Sequence, residues 1–173
     1  MSEKQLNHNE IIPEQKNNIK TLPVCLITDG VNDYGNLGMI FRIADALKLE
    51  KIYLYNLKKD LNLRLLRKKS RTTSEYVKFE IIEDFSGILS LKKSYNFVIL
   101  EKTDKSINYT EYIPKLPLCL ITGSEKNGVS DDIIKLSDVS VHLPMSGVNT
   151  SVNVATAAAV VLYDFNNKIN NYE

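Results

Sequence analysis

The sequence predicts an α/β fold built on a mostly parallel sheet flanked by helices, and three observations carry that prediction. The runs Leu22 to Thr28 (LPVCLIT) and Leu118 to Thr122 (LCLIT) are continuously apolar or β-prone, as in strands covered on both faces. Between them strand-like and helix-like stretches alternate, which argues for parallel strands joined by helical crossovers. Both runs open into glycine-bearing loops, at the strand ends where open α/β sheets bind ligands.

Composition sets the frame. The chain has 173 residues, 43% hydrophobic and 25% charged, enough for one domain with a sizeable core. A formal charge of +1 excludes a uniformly basic nucleic-acid coat but leaves room for a local basic patch. Cys25 and Cys119 sit inside apolar β-like runs and read as buried hydrophobes, so a reducing compartment is expected rather than a disulfide or a metal site. No apolar run approaches the ~18 residues of a membrane span and no leader pattern opens the chain, which gives a cytoplasmic location as the expectation. His8 and His142 are far apart, and no His-based metal site or Ser-His pair is expected from them.

In chain order, Met1 to Thr21 is polar, lacks a sustained period and is expected to be a flexible arm, with the domain over 22–167 and a tail over 168–173. Leu22 to Thr28 is the first strand. Asp29 to Gly38 (DGVNDYGNLG) is a loop that lacks the G-x-G-x-x-G spacing of a dinucleotide fingerprint. A helix from about Leu37 to Lys48 carries one apolar stripe, Leu37, Ile40, Phe41, Ala44 and Leu47, to pack on the sheet. A second stripe, Met39, Ile43 and Ala46, calls for another covering layer such as a symmetric partner subunit. Arg42 lies across the helix from the first stripe and, taken alone, reads as a solvated arginine with its stem on apolar surface.

Lys51 to Tyr55 is the second strand. After it, Lys58, Lys59, Arg64, Arg67, Lys68, Lys69 and Arg71 place seven cations in fourteen residues. Such a run is commonly a solvated face, and it can also meet a phosphate backbone and add salt-dependent affinity. Phe79 to Ile82 is a strand, Asp84 to Lys93 a helix capped by Asp84, Asn96 to Leu100 a strand, and Tyr109 to Pro117 a connector. Leu118 to Thr122 then leads into a turn with Gly123, Glu125 and Gly128. Ser124 within it lacks a G-x-S-x-G elbow and is not a nucleophile candidate. Val139 to Leu143 ends at Pro144 and Met145, and a loop with Gly147 and Asn149 feeds a helix rich in alanine and valine.

Three stretches, NLGMIFR (Asn36 to Arg42), GSEKNG (Gly123 to Gly128) with HLPM (His142 to Met145), and SVNVATAAAVVLYD (Ser151 to Asp164), resemble in this order the signature motifs of the SpoU/TrmH RNA 2′-O-ribose methyltransferases of the SPOUT superfamily. The resemblance implies S-adenosyl-L-methionine as cofactor, an RNA ribose as substrate, a homodimer, no metal and no membrane. It also implies a carboxyl-terminal deep trefoil knot, a rare exception to the rule that chains do not thread loops. With no large amino-terminal RNA-binding domain in this sequence, tRNA is expected ahead of rRNA. A catalytically silent RNA-binding member is the alternative.

The residues that match the family's functional positions are Arg42, Asn36, Glu125, Ser151 and Asn153. By resemblance Arg42 approaches the 2′-hydroxyl and the neighbouring phosphate. A guanidinium is a poor base, so stabilising the developing alkoxide is the cheaper role for it. Asn36 positions Arg42 or the backbone, or caps its helix. Ser151 and Asn153 begin the last helix and orient substrate or cofactor, with Ser151 equally a cap. Glu125 holds the knot loop or a partner-subunit contact. The cofactor is expected against Leu100, Glu101, Thr122, Gly123, Gly128, Leu143, Met145 and Val152, and RNA against the cations from Lys58 to Arg71. The small-residue face of the last helix, Ala155, Ala158 and Ala159, suits either a close dimer seam or plain core packing.

Overall fold

The computed structural model describes residues 21–58 and 60–171, so the expected arm up to residue 20, Lys59 and the last two residues lie outside the described part. Among the described residues seven strands form one sheet: β1 (Leu22–Asp29), β2 (Leu49–Tyr55), β3 (Phe79–Ile82), β4 (Asn96–Leu100), β5 (Ile107–Asn108), β6 (Leu118–Gly123) and β7 (Val139–His142). Their order is β3-β2-β1-β6-β4-β7-β5, and every pairing is parallel. The expected α/β fold with a parallel sheet is the one observed.

Strand alternation splits the core in two. On one face Val24, Leu26, Leu118 and Leu120 pack against α1 (Tyr34–Ala46) and α5 (Val154–Asn171). On the other Cys25, Ile27, Cys119 and Ile121 pack against Ile88 of α3 (Phe85–Lys92) and Ile133 of α4 (Asp131–Leu136). Cys25 and Cys119 are register partners on β1 and β6, and both are fully buried. Phe41, Phe97 and Phe165 are fully buried as well, each worth about 1.5–3 kcal/mol against exposure.

Several boundaries move for identifiable reasons. The first helix begins at Tyr34, earlier than its apolar stripe, because Asp33 accepts the Asn36 N–H at 2.9 Å and caps it. The first stripe is buried as expected, but in the second Met39 is 47% exposed and Ala46 is exposed, while Ile43 is buried. The cationic stretch folds into a short helix, α2 (Leu63–Lys69), capped by Asn62 and pinned by the fully buried Leu66. Ala155 and Ala158 face the chain's own core, so the packing alternative holds for them. The last helix runs through Asn171, past the expected domain end at 167, because Ile169 is buried and Lys168 is anchored. The Lys168 ammonium donates to the carbonyls of Tyr109, Thr110 and Tyr112 and pairs with Asp164. No helix among the described residues is long and apolar enough to cross a membrane.

One close approach matters for the site. A Cβ on Gly38 would lie 2.6 Å from the Lys69 carbonyl carbon and 2.7 Å from its oxygen. Glycine therefore lets the end of α2 rest directly on α1, which sets the cationic helix beside the helix that carries Asn36 and Arg42.

Candidate active site

Register lines up the carboxyl ends of four strands: Thr28 with Thr122, Thr122 with Leu100, and Leu100 with Val141. The loops leaving β4, β6 and β7 therefore rise from one edge and enclose a cleft of about 230 Å³. The β6 loop is held in a tight turn. A Cβ on Gly123 would fall 1.9 Å from the Gly128 carbonyl carbon, so only glycine fits there, and Gly128 itself has φ +65°. The Gly128 N–H closes the turn onto the Ser124 carbonyl at 2.8 Å.

Leu100, Glu101, Thr122, Gly128, Leu143, Met145 and Val152, the residues expected against the cofactor, line the cleft. Gly123 does not reach the lining and instead shapes the turn beneath it. Glu101 has a structural task besides: its carboxylate accepts the Val129 and Lys102 N–H groups, both at 3.0 Å, tying the turn to the end of β4. Sequence reasoning missed His142, Lys102, Thr150, Val154 and Ala157, which also line the cleft, and it set aside Ser124, another lining residue, as no nucleophile. The signal for His142 was its place in the HLPM stretch at the end of a strand, the edge of an open α/β sheet where clefts form.

The three motif stretches meet through side chains. The Asn36 amide donates to Glu125 Oε1 at 2.7 Å, and the Asn153 amide donates to Asn36 Oδ1 at 2.8 Å and to Glu125 Oε1 at 3.1 Å. Asn153 Oδ1 accepts the Ala155 and Thr156 N–H groups, so it caps α5 while its amide closes the network. Two expectations change here. The cap of the last helix is Asn153 and not Ser151, which lies before the helix and lines the cleft. Asn36 is no cap either, since Asp33 serves α1, and its side chain is free to bridge loops.

Arg42 stands apart. It is exposed on α1, its Nη1 lies 3.7 Å from Met39 Sδ, and it does not line the cleft. The structure therefore brings Asn36, Glu125 and Asn153 together beside Ser151 and leaves Arg42 outside. Lys58, Arg64, Lys68, Lys69 and Arg71 are exposed around α2, while Arg67 is engaged by Glu75 at 2.9 Å. Arg71 and Thr72 have φ of +51° and +70°, so two successive non-glycine residues hold the left-handed region at the turn that displays the Arg71 side chain.

Comparison with known proteins places this geometry. The profile of the SpoU rRNA Methylase family matches residues 23–163. The chain is 31% identical over 151 residues to the 23S rRNA (guanosine-2′-O-)-methyltransferase RlmB of Blochmanniella floridana, covering 86% of this chain and 58% of that protein. It is 25% identical over 141 residues to the tRNA (guanosine(18)-2′-O)-methyltransferase of Aquifex aeolicus, covering 80% and 66%. The chain thus spans about three fifths of the length of these curated relatives. The crystal structure of the A. aeolicus TrmH/SpoU tRNA modifying enzyme shares the fold, with a TM-score of 0.76 at 24% identity over 87% of this chain and 77% of that one. So does AviRb from Streptomyces viridochromogenes in complex with AdoMet, with a TM-score of 0.77 at 20% identity over 91% and 64%. The match of that profile over most of the chain, on a parallel sheet whose carboxyl edge carries the cleft, establishes that this protein belongs to the SpoU rRNA Methylase family.

Proposed function

We propose that this chain methylates the 2′-oxygen of an RNA ribose with S-adenosyl-L-methionine, acting on tRNA ahead of rRNA, as a homodimer in the cytoplasm. The observation that carries the reading is the Asn36–Glu125–Asn153 network, which draws all three motif stretches to the mouth of the cleft. The cleft fits the cofactor. Leu100, Leu143, Met145 and Val152 offer apolar contact, and the lining residue Thr122 carries a buried Oγ1 with no hydrogen-bond partner among the described residues. Bound S-adenosyl-L-methionine supplies a sulfonium methyl for transfer to an oxygen nucleophile.

The protein's own groups then have separate tasks. Gly123 and Gly128 shape the turn that approaches the ligand, and Glu101 keeps that turn fixed. Asn36, Glu125 and Asn153 hold α1, the β6 loop and the start of α5 in one arrangement, and Ser151 presents a hydroxyl to the substrate. Arg42 holds the phosphate beside the target ribose and stabilises the negative charge developing on the 2′-oxygen as its proton passes to solvent. Because Arg42 does not line the cleft of its own chain, it serves the cleft of a second copy. Exposed Met39 on α1 and exposed Val160 and Tyr163 on α5 supply apolar surface for that seam. The cations of α2, seated against α1 at Gly38, extend the surface along the RNA backbone. A deep trefoil knot over the carboxyl-terminal third belongs to the same reading. It is supported by β6 lying between β1 and β4 with β7 beyond β4.

The test is to map ribose methylation in tRNA and rRNA incubated with the protein and S-adenosyl-L-methionine. Arg42→Ala is expected to lose methylation while keeping cofactor binding and sedimentation as a dimer. Retention of more than about a tenth of the wild-type rate, some 1.4 kcal/mol of barrier, overturns the role of Arg42.

A further inference from the structure

Two residues that line the cleft each carry a buried polar atom with no hydrogen-bond partner among the described residues: Thr122 Oγ1 and His142 Nδ1. Buried polar atoms are nearly always paired, and an unpaired one carries a desolvation cost that a ligand contact can return. The two residues lie at the carboxyl ends of β6 and β7, the strands on either side of β4. Thr122 of β6 is the register partner of Leu100 in β4, and Leu100 is the partner of Val141, the residue before His142 in β7. Thr122 belongs to the reading above, whereas His142 has no place in it yet.

The surroundings leave the imidazole uncommitted. The Glu101 carboxylate is taken up by the Val129 and Lys102 N–H groups, and Glu125 Oε1 by the amides of Asn36 and Asn153. Lys102 lines the same cleft. The flanking strand β5 presents Ile107 and Asn108, neither of them titratable, with Asn108 in register with His142. A neutral imidazole offers one donor and one acceptor nitrogen, so it can meet either kind of polar group on a ligand.

We propose that His142 is a further ligand-binding residue of this cleft, its Nδ1 hydrogen-bonding a polar group of bound S-adenosyl-L-methionine. The inference rests on the reading that the cleft holds this cofactor, and its test separates the two. The chain has two histidines, His8 and His142, so a ¹⁵N-labelled imidazole spectrum contains two rings, assigned by His142→Leu. Saturating S-adenosyl-L-methionine, with saturation established by calorimetry, is expected to move the His142 Nδ1 resonance. Adenosine and methionine added separately identify the half that makes the contact. His142→Leu is expected to weaken binding about ten-fold, and His142→Asn, which keeps a polar atom near the Nδ1 position, to retain most of the affinity. If wild-type protein is saturated and the Nδ1 resonance does not move, the proposal falls while the cofactor reading stands. If wild-type protein shows no binding by calorimetry, both fall.

Discussion

The side chains of Asn36 and Asn153 are joined by a 2.8 Å hydrogen bond across 117 positions of sequence. The same Asn153 amide reaches Glu125, and the same Asn153 carbonyl oxygen caps α5. The residue that starts the last helix thus also fixes where that helix begins relative to the first. Breaking either end frees two loops at once. Asn36→Ala and Asn153→Ala are each expected to cost about 1–2 kcal/mol in urea unfolding. Their double mutant should show a coupling energy of at least about 0.5 kcal/mol. Strict additivity would mean the bond does not hold the loops together.

The turn between β6 and α4 tolerates no side chain at its first glycine. Gly123→Ala drives a methyl into the Gly128 carbonyl group, and its expected cost exceeds about 4 kcal/mol, the range of exceptional substitutions. Gly147→Ala is the control, since nothing lies within 4 Å of its added Cβ, and it should stay within about 0.5 kcal/mol of wild type. Thermal unfolding of the two variants side by side checks the contrast.

The exposed cations around α2 should act additively on RNA affinity. Neutralising Arg64, Lys68 and Lys69 together is expected to lower the slope of log affinity against log salt by roughly 0.7–0.9 for each phosphate that the protein no longer neutralises. Arg67→Gln should change the slope less, because its guanidinium is already paired with Glu75. Binding isotherms from low to moderate salt read both slopes, and an unchanged slope in the triple variant removes α2 from the RNA surface.

Acid sensitivity has one identifiable contributor in Asp138. Burial raises its carboxyl pKa, but the hydrogen-bonded Lys92 ammonium and the Phe97 N–H, at 2.7 Å, outweigh burial and bring it below the ordinary value of 3.8. The folded state then binds fewer protons than the unfolded one at low pH. The stabilisation is complete above about pH 4 and drains as pH falls through the depressed folded value. The side chain is 43% exposed, so solvent screening limits the effect, and Asp138→Asn should cost about 1 kcal/mol at neutral pH. The variant should also show a shallower loss of stability below pH 4. An unchanged acid limb in urea melts would exclude Asp138 as a contributor.

Much of the architecture was legible in residue order because burial leaves a local signature. β3 and β4 span the ranges read for them, Asp84 caps α3 as its position predicts, and the β1 and β6 runs lie side by side in the sheet centre. The short helices α2 and α4 were not legible. Each buries a single residue, Leu66 or Ile133, so neither shows a repeating apolar face, and packing against the larger elements holds them. Seven of the eight expected cofactor positions line the cleft because strand ends and glycine turns are marked in the sequence itself.

By itself, then, the sequence determined the apolar strands and helices of an α/β fold, the glycine turn after β6 and the three motif stretches, since each is marked by residues within a few positions of one another. Only the tertiary structure decided that Asn36, Glu125 and Asn153 share one hydrogen-bond network, that Asn153 and not Ser151 caps α5, and that Arg42 lies outside its own cleft. Those outcomes depend on groups far apart in the chain whose distances are set by strand order and register, and residue order does not encode such distances until the sheet has formed.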